Sequence, residues 1–574
     1  MKRSATGVVG APHSGQSRRW LWFILSAAAI LRFWGIWYGL PFGYHKDEYH
    51  EVMRALALGA GDFDFGRTSK GGFYFILFFE YGLYFAFLKL SGLVASAQEF
   101  AQSIVRDPTV LYLLGRGTAA VAGSATVAFA YVTTARAYTR SAGVIAALFL
   151  AANVLHVGLS RVIGVDVPMT LLAAITLYFG VRIAQSGERK DYLLAALFAS
   201  LATTTKLTGV ILLVPMLIAH AYSVWRSRTG IGGLVGKREL WLSALIFVAV
   251  LAVTNPGAFG SSGYISNFSA DTQSTDELDE IDEMPELGGE GRPDLFAYYV
   301  SVMGESMGWP LFAVSLLGVL YALARRTPAD VMLLSFGALN YLAIAGTSTE
   351  LYYPRYALPV ILVLAILAGR AVADLVQRAG NHSNALLVLT CVTCLVVPLW
   401  RNAAMAYALS EIDTRTQALD WFKQNVPEGS RVLIEGGKVG PERNSVPLPE
   451  TPASLQRQFA YWNHVEPRQA QLLKFKLRDH PGGGYELVFL KMEHPGTLDD
   501  YVSQGVEYYV VRPTRFLQSR RAGTGTVQLV NDLRNDPRIQ LVKTFRGETT
   551  AQLGPTIEIY RVATRAHGGR GLSR

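Results

Sequence analysis

Between residues 20 and 402 the chain alternates long apolar runs with short polar joints. The runs at 20–40, 111–135, 141–159, 167–184, 190–205, 207–225, 240–256, 306–324, 330–347, 355–375 and 385–402 approach or reach the roughly 20 apolar residues that cross about 30 Å of hydrocarbon. The stretch 71–92 is equally apolar but carries Glu80 and Lys89. If it does not fully cross, the basic joints at 136–140, 182–190, 226–238, 325–326 and 378–382 share one side with the basic N-terminus. The acidic stretch 271–290 then falls on the other side, as the positive-inside rule requires. If it crosses, every later joint inverts. The pattern therefore predicts a polytopic α-helical membrane protein of about eleven spans, with 73–92 at or partly within the outer leaflet and further helices on the membrane surface. The first run lacks a small-x-small cleavage site, so 20–40 is read as an uncleaved span and 1–19 as a cytoplasmic segment. Arg32 inside that span requires a partner or a water-filled cleft.

After about residue 403 the pattern becomes that of a soluble unit. DTRTQALDWFKQNV has helical spacing and stops at the turn Pro427-Glu428-Gly429. RVLIEG, YELVFLKM, EYYVVRP, IQLVKTF and TIEIYRV are short β-rich runs with helical stretches between several of them. They predict a C-terminal α/β domain over 403–574, displayed on the outer side. Gly482, Gly483 and Gly484 lack the strand-to-helix setting of a phosphate loop and read as a turn.

Composition agrees with a membrane protein: 51% of the 574 residues are hydrophobic and 17% charged. The formal net charge of +9 is scattered between apolar runs, which argues against a nucleic-acid partner and for cytoplasmic loops. The two cysteines, Cys391 and Cys394, lie inside an apolar run with no other soft ligand nearby and read as plain helix residues.

The candidate chemistry gathers on the outer side. In the first outer loop, 41–110, PFGYHKDEYH sets Asp47 and Glu48 between His45 and His50, directly after the first span. Charge in that position must be paired, solvated or functional. Lys70 lies later in the same loop, and Arg116, Arg161, Asp166, Lys206 and Arg355 fall at outer span ends. Taken singly, Lys206 and Arg355 could snorkel to headgroups, and Asp166 could cap the next helix. Together, carboxylates facing cations in a lipid-accessible cleft fit a lipid phosphate handled beside a base. A sugar on a polyprenyl phosphate already has a phosphate leaving group, which needs positive charge and no general acid. The attacking hydroxyl needs one base, not the two-carboxylate arrangement of most glycosidases. His45 and His50 are candidates for a divalent ion that would still need a further ligand; no cofactor is certain.

These residues also resemble a known family. GLPFGYHKDEYH after the first span resembles the first outer loop of glycosyltransferase C superfamily enzymes, in the group of protein O-mannosyltransferases and bacterial aminoarabinose lipid A transferases. SKGGFYF is similar to their Lys-Pro-Pro-Leu-Tyr stretch, keeping Lys70 but neither proline. YLLGRGTAAVAGSATV, LSRVIGVDVPMTLLAA, TTTKLTGVILLVP and YYPRYALPVIL resemble their following motifs, with Arg116, Arg161, Asp166, Lys206 and Arg355 at the matching positions. Ser69 departs from the acidic residue some lipid A transferases carry there. The resemblance covers about residues 20–400. It implies an inverting transfer from a polyprenyl-phosphate sugar to a lipid, glycan or protein acceptor at the extracytoplasmic face of the inner membrane. Asp47 would be the base or acceptor-orienting group, with Glu48 and Asp166 the other carboxylates of the site. Lys70, Arg116, Arg161, Lys206 and Arg355 would hold the donor phosphate.

Two other classes remain open. A transporter or flippase would also use intramembrane charge, but near the midplane and often with inverted repeats, whereas here the charge masses at one face and no repeat is visible. A scaffold whose outer α/β domain is the working part would leave the membrane charges without a purpose.

Overall fold

The computed structural model describes residues 14–63, 71–230, 232–255, 294–346, 352–436, 445–465, 467–491, 495–518, 524–549 and 552–563. Lys70 and most of the expected acidic outer loop, including 271–290, lie outside the described residues.

The apolar runs fold as helices, and short polar residues set where several of them start. The chain opens with α1 (Ser14–Phe33), α2 (Lys46–Gly59), α3 (Gly71–Leu90), α4 (Ala97–Arg106), α5 (Thr109–Ala137), α6 (Arg140–Ala151), α7 (Val154–Leu159), α8 (Asp166–Ser186) and α9 (Arg189–Thr205). Ser96, Thr139 and Asn153 cap α4, α6 and α7, each side-chain oxygen accepting a backbone N–H at 3.2, 3.2 and 2.8 Å. Asn153, with an extended backbone (φ −62°, ψ 120°), splits the run 141–159 into two helices.

Seven helices among the described residues are long and apolar enough to cross a membrane by length and composition, and Leu295–Met307 with Trp309–Arg325, bent by 115°, would make an eighth. Helix fills 190–205 and reaches Thr254 in the run 240–256, but in the run 20–40 it ends at Phe33, where turns follow, and in the run 141–159 it breaks after Ala151; these helices fall short on length or hydropathy. α3, expected at the outer leaflet, is one of the seven. Its first turn abuts the end of α9, since a Cβ on Gly72 would lie 2.5 Å from Thr204 Oγ1. Past its far end, α4 meets the C-terminal part of the chain, where Arg106 pairs with Asp479 at 2.9 Å.

The helix Leu358–Arg378 runs through the core, with 78% of its apolar window buried. Small residues allow this: a Cβ on Gly369 would sit 2.7 Å from the Ala142 carbonyl oxygen, so this helix and α6 touch backbone to backbone. At one end of the bundle buried charges pair with one another. The fully buried Asp330 accepts Arg370 and the Tyr138 hydroxyl, and Arg182 meets Asp191 at 2.9 Å.

After the helix Ser383–Ala408 and the helix Thr414–Asn425, the five β-rich runs form β1 (Arg431–Glu435), β2 (Glu486–Leu490), β3 (Tyr508–Val511), β4 (Ile539–Phe545) and β5 (Ile557–Val562). They make one sheet in the order β2-β1-β3-β5-β4. β1 is parallel to β2 and β3, whereas β5 is antiparallel to β3 and β4. Alternation along the strands sends Val432, Ile434, Leu487 and Tyr508 to one core and Leu433, Tyr509 and Val511 to the other, so both faces are covered. Gly482, Gly483 and Gly484 all have positive φ (86°, 71° and 94°) in the turn before β2.

Candidate active site

The site starts from the turn between α1 and α2. Gly35, Gly39 and Gly43 adopt left-handed φ values of 85°, 69° and 62°, and a Cβ on Gly43 would be 2.8 Å from the Tyr112 ring. Only glycine lets the chain turn so tightly there. α2 then begins with Asp47 and Glu48 in its first turn, where the positive end of the helix favours acidic side chains.

Adjacent residues on a helix do not share a face, and the two carboxylates part accordingly. Glu48 points inward and is fully buried. It accepts Arg116 Nε at 2.7 Å and Nη2 at 2.6 Å, and the Ile163 N–H at 3.0 Å. Arg116 Nη1 also donates to the carbonyls of Ile36 and Tyr38, both at 2.7 Å. Arg116, expected at the donor phosphate, is thus engaged by Glu48 and the turn before α2, and the pair anchors that turn.

Asp47 points into a pocket that His45, Asp166 and Arg355 also line, with Leu159, Val162, Ile163 and Val167 as its apolar wall. Arg355 Nη1 lies 2.6 Å from Asp47 Oδ2, and Arg355 Nε lies 3.7 Å from Asp166 Oδ2. Asp166 Oδ1 in turn accepts Lys206 Nζ at 2.5 Å. Asp47, Arg355, Asp166 and Lys206 therefore form a chain of alternating charge. Asp166 does not cap α8 as its place before Pro168 suggested: Val165 is the capping residue, Asp166 is the first helical residue, and no side-chain cap bond forms. Its carboxylate is turned to the cations.

Three further elements hold the cations. Lys206 is the extended residue between α9 and the 3-10 helix Leu207–Leu212, and its ammonium sits 3.7 Å from the centre of the Tyr356 ring. Arg355 lies on the 3-10 turn Pro354–Ala357 between Tyr353 and Tyr356, 4.7 and 5.7 Å from their ring centres. That turn is tied to the helix Leu295–Met307, because the Tyr298 and Tyr299 hydroxyls donate to the carbonyls of Tyr352 and Tyr353 at 2.8 and 3.3 Å. Sequence reasoning singled out the cations but not this aromatic cradle; the run LYYPRY was its one visible sign.

The remaining expected residues lie elsewhere. Arg161 turns away from the pocket and donates twice to the Leu31 carbonyl, at 3.1 and 2.6 Å. Arg32, fully buried, finds its partners in the carbonyls of Ala28, Leu150 and Ala151 and in His156 Nδ1 at 3.0 Å. The carbonyl end of α6 carries partial negative charge, which suits a buried guanidinium. His50 is on the exposed side of α2, away from His45, and no group of three or more His, Cys, Asp or Glu side chains among the described residues is placed to hold a metal ion. Cys391 and Cys394 are free cysteines within the helix Ser383–Ala408.

Residues 113–255, which carry Arg116, Arg161, Asp166 and Lys206, match the family model described as dolichyl-phosphate-mannose-protein mannosyltransferase. No curated protein matches the chain. Among solved structures, the apo oligosaccharyltransferase of Archaeoglobus fulgidus is 12% identical, with 87% of this chain and 70% of that chain covered and a TM-score of 0.49. ArnT from Cupriavidus metallidurans bound to undecaprenyl phosphate is 13% identical, with 95% and 98% covered and a TM-score of 0.48. Over residues 113–255 the chain is similar to that mannosyltransferase family. With its apolar helices it is an integral membrane protein.

Proposed function

We propose that the chain transfers a sugar from a polyprenyl-phosphate-linked donor to an extracytoplasmic acceptor hydroxyl, with inversion, in the pocket between Asp47, Asp166 and Arg355. The observation that carries this reading is the alternating chain Asp47–Arg355–Asp166–Lys206, whose first three members line one pocket. Arg355 and Lys206 are the cations for the donor phosphate: as the bond from the anomeric carbon to the phosphate oxygen breaks, the negative charge left on that phosphate is met by both. Fixed charge aimed at the leaving group in a partly desolvated site needs no reorganisation as the reaction proceeds. The acceptor hydroxyl attacks from the opposite face of the sugar, and Asp47 takes its proton. One displacement inverts the anomeric centre.

A phosphate arriving at Arg355 competes with Asp47 for the same guanidinium. Donor binding thereby loosens the ion pair on Asp47 and makes that carboxylate a better base when the acceptor comes. Glu48 and Arg116 hold the turn that presents Asp47, and Lys70 is proposed as a further cation for the donor phosphate.

The topology proposed with this reading has eleven spans, the pocket outside and 403–574 as an extracytoplasmic domain. What supports leaving α3 out of the count is that its start meets the end of α9, beside Lys206, while α4 beyond its far end meets the C-terminal part. With Cys391 and Cys394 replaced by serine, Lys423→Cys should react with a membrane-impermeant maleimide from outside intact cells and Arg325→Cys only after lysis. The reverse labelling would overturn the topology.

The function is tested with membranes containing the wild-type chain or Asp47→Asn and a panel of radiolabelled polyprenyl-phosphate sugars. Label reaching an acceptor only with the wild type is the expected result and names the donor. Equal transfer by both would remove Asp47 from the chemistry.

A further inference from the structure

The segment that carries Asp47 is fastened by the C-terminal part of the chain. Just after the helix Ser383–Ala408, Asp413 and Arg415 form a bidentate pair, Nε to Oδ1 and Nη2 to Oδ2 both at 2.8 Å, with Asp413 3% and Arg415 8% exposed. The Tyr38 hydroxyl donates to Asp413 Oδ2. The Arg415 guanidinium lies 3.8 Å from the centre of the Tyr44 ring, and the Tyr44 hydroxyl is 2.7 Å from Thr416 Oγ1. Tyr38 and Tyr44 bracket the glycine-rich turn before α2, and Tyr44 is three residues from Asp47. On its other side, the Tyr38 carbonyl accepts Arg116, which grips Glu48.

We propose that Asp413 and Arg415 are positioning residues for the transfer: from the C-terminal part they clasp Tyr38 and Tyr44 and so set where Asp47 stands against Arg355. This rests on the reading of Asp47 as the base. Two charges at such low exposure are costly to desolvate, and apolar side chains of similar volume would often pack at least as stably. What the ion pair adds is direction. A carboxylate with fixed acceptor sites and a flat guanidinium on a ring hold two tyrosines in one orientation each. A second fastening, Arg106 to Asp479 at 2.9 Å, ties α4 to the same part of the chain, although Arg106 is exposed and that pair contributes little by itself.

The test uses full-length Tyr38→Phe, Asp413→Asn and the double variant, with Asp47→Asn alongside. Transfer is measured with the donor that the sugar panel identifies, and amide exchange is followed over residues 39–52. The expected result is a kcat about ten- to a hundred-fold lower with the donor KM unchanged. Exchange over 39–52 should quicken while β1 and β3 exchange as in the wild type. Because Tyr38 and Asp413 act through one contact, the double variant should be no slower than the worse single one. Wild-type kcat in the clasp variants with an inactive Asp47→Asn would overturn the proposal and leave the active site standing. If Asp47→Asn stays active, the active-site reading falls, and unchanged exchange over 39–52 would overturn the clasp independently.

Discussion

Arg355 and Asp47 meet at 2.6 Å across 308 residues of sequence, the guanidinium from a 3-10 turn and the carboxylate from the first turn of α2. The contact joins the start of α2 to the entry of the helix Leu358–Arg378, deep in the bundle. Asp47 and Arg355 have different roles in the proposed transfer, so their variants should fail differently. Asp47→Asn keeps the shape and loses the base, and should lower kcat by about 10²–10⁴ while donor binding persists. Scintillation counting of bound labelled donor beside the transfer rate separates the two. Loss of donor binding together with activity would recast Asp47 as a binding residue.

Arg355→Ala and Lys206→Ala should each lower kcat by about 10²–10³, the usual loss when one group stabilising developing charge is removed, and both should weaken the donor. Tyr356→Leu keeps apolar bulk but removes the ring under Lys206 and beside Arg355. It should cost less than either cation variant. Donor affinity left intact by Lys206→Ala would return that lysine to a headgroup role.

Arg116→Ala should act on folding first. It leaves the fully buried Glu48 with the Ile163 N–H but no countercharge, and breaking one partner out of a buried pair costs about 3–5 kcal/mol. The yield of monodisperse protein and its melting temperature should fall, whereas Arg116→Ala protein of wild-type stability without activity would place this arginine at the substrate.

In the C-terminal sheet, burial raises the Glu450 carboxyl above its ordinary value. A raised folded-state value means the native state prefers the protonated form, so the associated stability is complete below the unfolded value and is lost as pH rises through the folded one. Glu450→Gln should therefore slow exchange of the Tyr485 amide, which donates to the Pro449 carbonyl at 2.8 Å, relative to wild type at pH ~7.5. The difference should vanish well below the ordinary glutamate value of about 4.3, where the carboxyl is protonated in both states. Faster exchange in the variant at the higher pH would contradict the sign.

The helices and the five strands were legible because hydrophobic periodicity is a local signal, and Asp47, Asp166, Lys206 and Arg355 stood out as charge at span ends. Tertiary geometry decided the rest. Asp47 and Glu48 are neighbours in sequence, yet the turn of one helix sends one into the pocket and the other into the core. Nothing around Arg116 shows that its partner lies 68 residues away. Asp166 misses the capping position by one residue, a shift no local pattern fixes. Asp413 and Arg415 carry no motif, because Tyr38, which gives their spacing its meaning, is 375 residues from Asp413.

The long reach between Asp47 and Arg355 also sets a schedule for biosynthesis. At about 5–20 residues per second, the ribosome needs roughly 15–60 s to deliver Arg355 after Asp47. For that interval the segment after α1 must wait with Glu48 secured by Arg116 while Asp47 faces an unfinished bundle. Asp413 and Arg415 arrive later still. The proposed catalytic centre is thus incomplete until well over half of the chain has been made, and a chain released before that point would insert in the membrane without one.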